Sequence, residues 1–479
     1  MSASSSGPNI VFVVTDTTRS DSLGLDFATG TTAGFDAAAE GRVYRRATSP
    51  SPWTPPAHAS MFTGLAPSEH GIWGPNLLDD HGWPRPGVIR GPLLDRWLPS
   101  VLAGRGYHTL GISSNAWVSD YLGFDHGFDQ FLSIRDNPSG RTGRSRTAQL
   151  ARRLPEPIMR PLRVGRVAAH IRQRGQDWGA DKAVSALGEF LATSPKPFFA
   201  FLNFMEPHWP YHPPADFEGF SADEARQAID VLVRYRSPLS VDGNGRLSTR
   251  TLPPQDVAML RRLYLGEVDY LEGRLHELLD RLEDAGRLDD TVVVIVADHG
   301  EHLGEHGLIG HVASVHEELL HVPMLVLGPG DLVGRGIEET RVSTQNLYRA
   351  VLDLTRGERA ILNEPSPAVT EYEGAWHHAG SIRRMRRATA DRVSKAAIWA
   401  IYDHDWKLVV SPDGTEQLYE LGRDPLEEAP VSGDEHRELL RRRLSEILAD
   451  RVPCLLSATP GSGSRDARIE GELRALGYL

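Results

Sequence analysis

One stretch of the chain, Thr291–Glu301, constrains the fold more than any other. It reads T-V-V-V-I-V-A-D-H-G-E and contains the apolar, β-branched run Val292–Val296. A short continuous apolar run of this kind predicts a strand that is buried on both faces of a parallel sheet. Asp298 and His299 follow at the carboxyl end of that strand, where open α/β sheets place their ligands. A carboxylate beside an imidazole suits a divalent cation, and an ordinary Asp-His-Gly turn is the alternative.

The composition bounds the class of protein. The 479 residues are 40% hydrophobic and 24% charged, which is ordinary for a soluble globular protein of about two domains. A net charge of -12 argues against a general nucleic-acid binder. No secretory signal is visible, and no apolar stretch reaches the roughly 18 residues of a membrane span. With Cys454 as its single cysteine, the chain is expected to be cytoplasmic.

A second junction between a strand and an acid lies near the N-terminus. Asn9–Thr15 reads N-I-V-F-V-V-T and runs directly into Asp16. If this strand neighbours the one before Asp298, the two carboxylates meet at one edge of the sheet. The alternative is an Asp16 that caps the next helix.

A proline-rich segment, Ser49–Gly64, offers a nucleophile. Its prolines predict irregular backbone through Pro56 and a helix from Ala57, with Thr54 in a stiff loop before the helix. Backbone N–H groups at a helix N-terminus favour an anion, and a hydroxyl beside a divalent cation can attack phosphorus or sulfur. His58 is expected to face the same pocket. A capping threonine and a surface histidine are the alternatives.

Three segments together resemble the sulfatase family of the alkaline-phosphatase superfamily. They are Asn9–Asp21, Trp53–Gly64 with the following G-L-A-P-S-E-H-G, and Leu288–Gly307, and Met205–Pro214 and Trp406–Glu428 agree with them. The resemblance implies an α/β fold in which helices sandwich a large, mixed, mostly parallel sheet. It also implies a catalytic domain over residues 1–360 and a smaller C-terminal α+β subdomain over residues 361–479.

Carried over residue by residue, the resemblance implies a metal site of Asp16, Thr54, Asp298 and His299. The chain departs from the family in the nucleophile motif, where C-x-P-S-R is replaced by T-P-P-A-H with Thr54 at the cysteine position. Threonine cannot be converted to formylglycine, but threonine is the nucleophile of the superfamily's nucleotide pyrophosphatases/phosphodiesterases and phosphoethanolamine transferases. Thr17 replaces a second acid that many sulfatases carry.

Other polar residues are candidates for the substrate pocket. Asn115 follows the predicted strand His108–Ser114, where sulfatases usually have a lysine-x-histidine pair. His208, His212 and His311 predict either a second metal site or a cradle for the substrate anion, with His208 or His311 as general acid. The candidate catalytic residues are thus Thr54, His58, His208 and His311, and the candidate substrate-binding residues are Arg19, Asn115 and His212. His302 and His306 are interpreted as loop residues.

The remaining segments complete the predicted organisation. Asp256–Gly286 has one apolar stripe and predicts a helix that packs on the sheet without carrying chemistry. Residues 135–175 form an arginine-rich insertion, either a solvated surface or a lid that attracts an anionic substrate. Near the C-terminus, Ile398–Tyr402 and Lys407–Val410 predict a hairpin, Leu418–Leu421 a strand and Glu435–Arg451 a helix. Ser457–Ser464 is interpreted as a linker.

The chain is therefore predicted to be a metal-dependent, sulfatase-like hydrolase that cleaves a phosphodiester, phosphomonoester or phosphonate ester through Thr54. Three alternatives stay open: a sulfate ester hydrolase, a phosphoryl-group transferase and a non-catalytic anion-binding protein. The expected cofactor is one divalent ion (Mn, Zn or Ca), with a second ion as an alternative. The expected partner is a small anionic ester, without nucleic acid or a membrane span, and a homo-oligomer is left open.

Overall fold

The computed structural model describes most of the chain. The described residues are 7–23, 31–32, 35–36, 41–77, 84–134, 177–214, 221–235, 252–311, 314–360, 362, 368–373, 397–411, 413–451 and 469. The arginine-rich insertion at residues 135–175 and the linker Ser457–Ser464 lie outside these residues, so both remain sequence-based predictions.

An eight-stranded sheet forms the centre of the larger part. Its strands, in chain order, are β1 (Asn9–Thr15), β2 (Gly41–Tyr44), β3 (His108–Ser113), β4 (Gln130–Ser133), β5 (Phe198–Phe204), β6 (Thr291–Ala297), β7 (Met324–Leu327) and β8 (Gly336–Glu338). Their order across the sheet is β8-β2-β7-β6-β1-β5-β3-β4. The strands from β6 to β4 in this order are parallel, whereas β7 runs antiparallel to both of its neighbours. This arrangement confirms the predicted α/β fold with a mixed, mostly parallel sheet.

Strand β1 lies in the middle of the sheet, between the parallel strands β5 and β6. All of its residues are buried. Ile10, Phe12 and Val14 belong to the apolar core on one face, and Val11 and Val13 belong to the core on the other. Because both faces are covered, the strand needs apolar side chains at every position, and its sequence shows no alternation.

Helices cover both faces of the sheet. On the face of Phe12 lie α1 (Thr54–Thr63), α2 (Leu98–Gly104) and α6 (Leu347–Leu354); on the other lie α3 (Ala180–Thr193), α4 (Ala222–Tyr235) and α5 (Pro254–Asp284). Helix α1 begins at Thr54, three residues before the predicted start at Ala57. The prediction was wrong because the first turn of a helix has no acceptors for its N–H groups, so Pro55 and Pro56 fit there.

Shorter elements connect the main ones. The two-residue strands are Thr31–Thr32, Phe35–Asp36, Ala47–Thr48, His302–Leu303, Ile309–Gly310, His321–Val322 and Val342–Ser343. The helical turns are Pro67–His70, Gly74–Leu77, Gly91–Leu93, Leu288–Asp290, Glu305–Gly307, Glu317–Leu320, Gly330–Val333 and Thr344–Asn346. The apolar run Val322–Gly328 is divided at Pro323, which has no N–H to donate: Val322 pairs with Ala47, and Met324–Leu327 joins the large sheet.

The C-terminal part is a small sheet with one helix. Strands β9 (Val369–Tyr372), β10 (Ile398–Asp403), β11 (Trp406–Val410) and β12 (Glu416–Glu420) form an antiparallel sheet, and α7 (Asp434–Asp450) follows it. Strands β10 and β11 pair as the predicted hairpin. The residues of its core are Val369, Ile401, Leu408, Leu418, Leu440 and Leu444. This confirms the smaller C-terminal domain, whereas the boundary at residues 360–361 stays a prediction.

Helix α5 has the buried stripe that its sequence pattern predicts. Leu260, Leu271 and Leu278 are fully buried, and Val257 at the start of the stripe is half-buried. The helix also contributes to polar contacts, since the Tyr264 hydroxyl binds backbone groups of the loop after β1. Among the described residues, no helix combines the length and the apolar character that crossing a membrane requires.

We expect Leu271→Ala to lower the free energy of unfolding by about 2–5 kcal/mol, because it leaves a cavity between α5 and the sheet. Leu265→Ala on the same helix is the matched control, since that leucine is 44% exposed and its loss costs below about 0.5 kcal/mol. Denaturant or thermal unfolding of both variants under one condition measures the difference. Equal losses of stability would contradict the placement of this helix.

Candidate active site

The parallel register of three strands brings the acidic residues together. Thr15 pairs with Ala297 on one side and with Phe204 on the other, so the three strands end at the same level. Asp16 and Asp298 are the next residues of their strands, and both are fully buried. The backbone N–H of Asp16 donates to the Phe204 carbonyl over 2.8 Å, which fixes the end of β1 against β5.

Asp16, Asp298 and His299 form a group suited to a metal ion, with one ligand atom from each lying within 4.8 Å of the others. His299 Nε2 lies 3.5 Å from Asp298 Oδ2 and 3.9 Å from Asp16 Oδ1. His299 Nδ1 lies 2.9 Å from the Gly300 carbonyl, to which only a protonated nitrogen can donate. The lone pair of the neutral ring is therefore on Nε2, which faces the carboxylates.

The two carboxylates lack compensating charge. Asp16 Oδ1 and Asp298 Oδ2 are buried and accept no hydrogen bond from the part of the chain that the structure describes. Burial raises the pKa of Asp298 to about 7. Burial and the neighbouring Asp298 raise the pKa of Asp16 well above its usual range. A divalent cation would satisfy both free oxygens and offset the repulsion, so the residues present fit such an ion.

Thr54 lies beside this group. Its Oγ1 is 3.3 Å from His299 Nε2 and 3.5 Å from Asp16 Oδ2, and the residue is fully buried. Thr54 is the first residue of α1, so its hydroxyl lies at the positive end of the helix dipole. However, Pro55 and Pro56 remove two of the four free N–H groups of the first turn. The predicted anion site of backbone N–H groups is thus smaller than expected.

His58 faces the interior, contrary to the surface alternative. Its Nδ1 lies 3.0 Å from the Thr54 carbonyl and 3.4 Å from Asp298 Oδ2, and its Nε2 lies 3.3 Å from Asn203 Nδ2. Its ring contacts Phe124 and Phe201 edge-on. Burial lowers the pKa of His58 to about 3, so the ring is neutral. It packs against the first turn of α1 through its contact with the Thr54 carbonyl.

The loop before Thr54 is held by contacts from two directions. Ser49 Oγ donates to the Asp298 carbonyl, which joins the loop to the end of β6. Strand β9 of the small sheet holds the other side: Thr370 Oγ1 donates to the Ser49 carbonyl over 2.6 Å, and the Glu371 N–H donates to the Pro50 carbonyl over 2.9 Å. The C-terminal domain therefore takes part in positioning the loop before Thr54.

Two residues orient the carboxylates. Asn115 Nδ2 donates to Asp16 Oδ2 over 2.5 Å, and the Asn115 side-chain oxygen accepts from the Trp117 N–H over 2.8 Å. Thr17 has a φ of 54°, a strained value for a β-branched residue, and its N–H donates to Asp298 Oδ1 over 3.2 Å. At the position of the family's second acid, Thr17 thus acts through its backbone.

His208 and His311 lie on one side of the metal group. The His311 ring centroid is 4.6 Å from that of His299 and 5.2 Å from that of His208. His311 Nδ1 lies 2.9 Å from Glu301 Oε1, and His208 Nδ1 lies 2.7 Å from the Trp209 carbonyl. Burial lowers the pKa of His208 to about 3 and that of His311 well below its usual range, and it raises the pKa of Glu301 to about 7.

The other two substrate-binding candidates, Arg19 and His212, have partners within the protein. The guanidinium of Arg19 is held by Asp21, by Glu305 Oε1 at 2.8 Å and by the Glu301 carbonyl at 3.1 Å, so its donors serve the loop structure. The His212 ring stacks on Trp178 at 4.9 Å. Its backbone N–H donates to Glu267 Oε1. The substrate contacts of Arg19 and His212 therefore stay predictions, with both side chains already engaged within the protein.

The predicted second metal site on the three histidines has no matching geometry among the described residues. The two groups with three ligand atoms close together are Asp16, Asp298, His299 and His306, His316, Glu318, and neither contains His208, His212 or His311.

Sequence reasoning missed two residues of this site. Glu301 ends the motif that includes Asp298 and His299, and its carboxylate holds His311. Asn203 lies in β5 and contacts His58 and Ser113. A signal was present for Asn203, since it is a polar residue in the otherwise apolar run F-F-A-F-L-N-F.

Comparisons with known proteins find one family and several similar folds. A family model described as Sulfatase matches residues 8–358. A sulfatase of Formosa agariphila is 24% identical over 460 residues, which cover 88% of this chain and 82% of that protein. A phosphonate monoester hydrolase of Agrobacterium radiobacter has a similar structure, with a TM-score of 0.64, 18% identity and coverage of 93% of this chain and 96% of that chain. The phosphonate monoester hydrolase of Silicibacter pomeroyi has a TM-score of 0.62 and 20% identity, with coverage of 96% of this chain and 99% of that chain.

We expect Asp298→Asn to flatten the pH dependence of stability of the metal-free protein. The pKa of the Asp298 carboxyl is about 7 in the folded chain and 3.8 for an ordinary aspartate, as in the unfolded chain. The folded state therefore binds the proton of this carboxyl more tightly than the unfolded state does. The free energy of unfolding therefore falls, by on the order of a few kcal/mol, as the pH rises from about 4 to 7. The variant lacks this loss.

Melting temperatures in chelator between pH 5 and pH 8 measure the effect. The exposed Asp284→Asn is the control and should keep the slope of the unmodified chain. Excess divalent cation should stabilise the unmodified chain at pH 8 more than it stabilises Asp298→Asn. Identical slopes for all three proteins would contradict a buried, uncompensated carboxylate.

Proposed function

Because the chain belongs to the sulfatase family and is a hydrolase of sulfuric or phosphoric esters, we propose that it cleaves a phosphoester through Thr54. The observation that carries this proposal is the position of an ordinary threonine hydroxyl, 3.3 Å from His299 Nε2 and 3.5 Å from Asp16 Oδ2. The resemblance to sulfatases places a formylglycine at this position, and threonine cannot form it. A plain hydroxyl nucleophile therefore has to complete the reaction without an aldehyde hydrate.

The attack would take place beside the ion that the candidate metal ligands hold. Asp16, Asp298 and His299 would hold a divalent ion, which lowers the pKa of a nearby hydroxyl and polarises substrate oxygens when bound. Thr54 Oγ1 attacks phosphorus in line, and its proton passes to Asp16 Oδ2 at 3.5 Å, because the lone pair of His299 Nε2 would be taken up by the ion. The bond from phosphorus to Thr54 forms while the bond from phosphorus to the leaving oxygen breaks.

The proton for the leaving oxygen comes from one of the two imidazoles near His299, those of His208 and His311. We assign it first to His311, because the neutral ring can give its Nε2 proton to the leaving oxygen while its Nδ1 takes a proton from Glu301 Oε1, 2.9 Å away, whose pKa burial raises to about 7. His208, which lies next to His311, is the alternative. Water then attacks phosphorus of the phosphothreonine, which releases the phosphoryl product and restores the Thr54 hydroxyl.

Phosphorus is favoured over sulfur by the fate of the covalent adduct. Water can attack phosphorus in a phosphothreonine, whereas a sulfate adduct on a plain threonine lacks the hydrate oxygen that expels it in sulfatases. Asn115, at the place of the family's sulfate-binding lysine, donates to Asp16 and adds no positive charge. Phosphonate monoesters join phosphodiesters and phosphomonoesters as candidate substrates, because two structural relatives are named for that activity.

Sulfate ester hydrolysis is the second candidate. The matching family model and the relative from Formosa agariphila both carry the name sulfatase. Transfer of the phosphoryl group to an acceptor other than water would give a product heavier than the hydrolysis product.

A cytoplasmic location, supported by the single cysteine of the chain, belongs to the same proposal.

We expect Thr54→Ala to lower turnover of bis-p-nitrophenyl phosphate and of an aryl phosphonate monoester by at least ~10³-fold, because it removes the nucleophile. Metal content should stay unchanged, since Asp16, Asp298 and His299 remain. Thr54→Ser keeps the hydroxyl and is the control that should retain activity. Undiminished activity in Thr54→Ala would contradict the proposal, and faster turnover of p-nitrophenyl sulfate than of the phosphorus substrates would favour the sulfatase reading.

We expect His311→Gln to impair substrates with poor leaving groups most. An alkyl leaving oxygen needs its proton, so kcat/KM for an alkyl ester should fall by about 10²–10⁴-fold, whereas p-nitrophenolate leaves without one and its ester should lose far less. The same pattern in His208→Gln would transfer the role to His208. His212→Gln is the control, because that ring stacks on Trp178. Equal losses for both leaving groups in both variants would contradict acid catalysis here.

A further inference from the structure

A second cluster of metal-binding side chains lies in the segment after the active-site strand. His306, His316 and Glu318 each offer a ligand atom within 4.8 Å of the others, and none of them belongs to the group around Asp298. His306 Nε2 lies 3.5 Å from Glu318 Oε1. The sequence interpretation of His306 as a loop residue did not anticipate this grouping. We propose that these three residues form a second divalent-cation site, of the kind that zinc occupies.

The carboxylate of Glu318 carries the strongest argument for a bound ion. Its side chain is only 4% exposed, and its one close partner among the described residues is His306 Nε2, 3.5 Å from Oε1, so that Oε2 accepts no hydrogen bond from them. Removing a carboxylate from water without hydrogen bonds is costly unless an opposite charge is close. A simple ion pair with His306 accounts for one oxygen at 3.5 Å, whereas a cation held between the imidazoles and the carboxylate satisfies the group.

The surroundings of His316 match those of a metal-binding histidine. Its Nδ1 lies 3.3 Å from Glu427 Oε2, and Glu427 Oε1 is paired with Lys407 Nζ at 2.8 Å. A histidine that binds a metal through one nitrogen commonly donates its other N–H to a carboxylate, which fixes the tautomer and the ring orientation. The Glu427 contact thus leaves the lone pair of His316 on Nε2.

The ligand set indicates the class of ion. Two imidazole nitrogens and one carboxylate oxygen suit zinc, which takes such ligands in four-coordinate sites. The side chains of His306 and His316 are 20% and 24% exposed, so an ion can enter from solvent and a fourth position stays open on that side. The two rings are stacked at 3.8 Å and nearly parallel, so one ring has to rotate about its χ2 angle to aim its nitrogen at a shared ion.

The position of the cluster gives the ion a structural role. His306 and His316 lie in the segment between β6 and β7, and Glu427 follows the last strand of the small C-terminal sheet. The Glu317 N–H also donates to Glu427 Oε2 over 2.7 Å. An ion at His306, His316 and Glu318 would therefore stabilise the loop that carries His311 where it meets the C-terminal domain.

Zinc content of the untagged, full-length chain tests the proposal. After chelation, reloading with Zn²⁺ and dialysis, we expect two equivalents in the unmodified chain and one in His306→Asn. Asparagine is chosen because residue 306 has a φ of 53°, a conformation that asparagine tolerates. His404→Asn is the matched control, since His404 is an exposed histidine with the same φ of 53°, and it should keep two equivalents.

A second pair of variants separates the two sites. Asp298→Asn should lose the other equivalent, and the double variant with His306→Asn should bind none. If His306→Asn does not fold, Glu318→Gln replaces it with nearly unchanged volume and should also bind one equivalent. Full zinc content in His306→Asn, or a single equivalent in the unmodified chain that Asp298→Asn removes, would overturn the proposal. Because the count needs no turnover, it stands or falls independently of phosphoester cleavage.

Discussion

The repulsion between two buried carboxylates is the constraint on which the active site depends. The fold brings Asp16 and Asp298 to the same edge of the sheet, where each keeps one oxygen without a hydrogen bond from the described residues. Donors from Thr17, Asn115 and His299 satisfy the other oxygens but supply no full positive charge. Without a cation the repulsion is relieved by protonation, which is why the pKa values of both carboxyls are raised, whereas a cation offsets it with both groups ionised. Metal binding and stability are therefore linked, because an ion that binds the folded chain compensates an energy that the fold itself creates.

The sequence was sufficient to predict this edge because the evidence for it is local. Strands β1 and β6 are short apolar runs, and each is followed at once by an aspartate. Parallel neighbours in register then bring Asp16 beside Asp298. The start of α1 was wrong for an equally local reason, since prolines are compatible with a loop and with the first turn of a helix, and the packing of the turn decides between them.

The roles of Arg19 and His212 could not be read from the sequence, because their partners are distant in the chain. The Arg19 N–H meets the hydroxyl of Tyr264, 245 positions away, and its guanidinium meets Glu305. His212 is fixed by Glu267 of α5 and by Trp178. A sequence motif shows that an arginine or a histidine is near a site. The direction of its side chain depends on which buried carboxylate it pairs with in the folded chain. The same reason hid Glu301, whose importance depends on His311 being folded against it.

In the proposed mechanism, the geometry around Thr54 makes the reaction depend on the ion that Asp16, Asp298 and His299 would hold. Proline at two positions of the first turn fixes the backbone, and a β-branched side chain has few rotamers, so the hydroxyl is held in place at little entropic cost. The same prolines remove amide donors that a helix N-terminus otherwise offers to an anion. Negative charge on the equatorial oxygens of the transition state must then be met by a cation on Asp16, Asp298 and His299 and by the imidazoles beside it. If Thr54 is the nucleophile, as we propose, it is held rigidly with few backbone donors beside it, and a cation would be the main electrostatic element of catalysis.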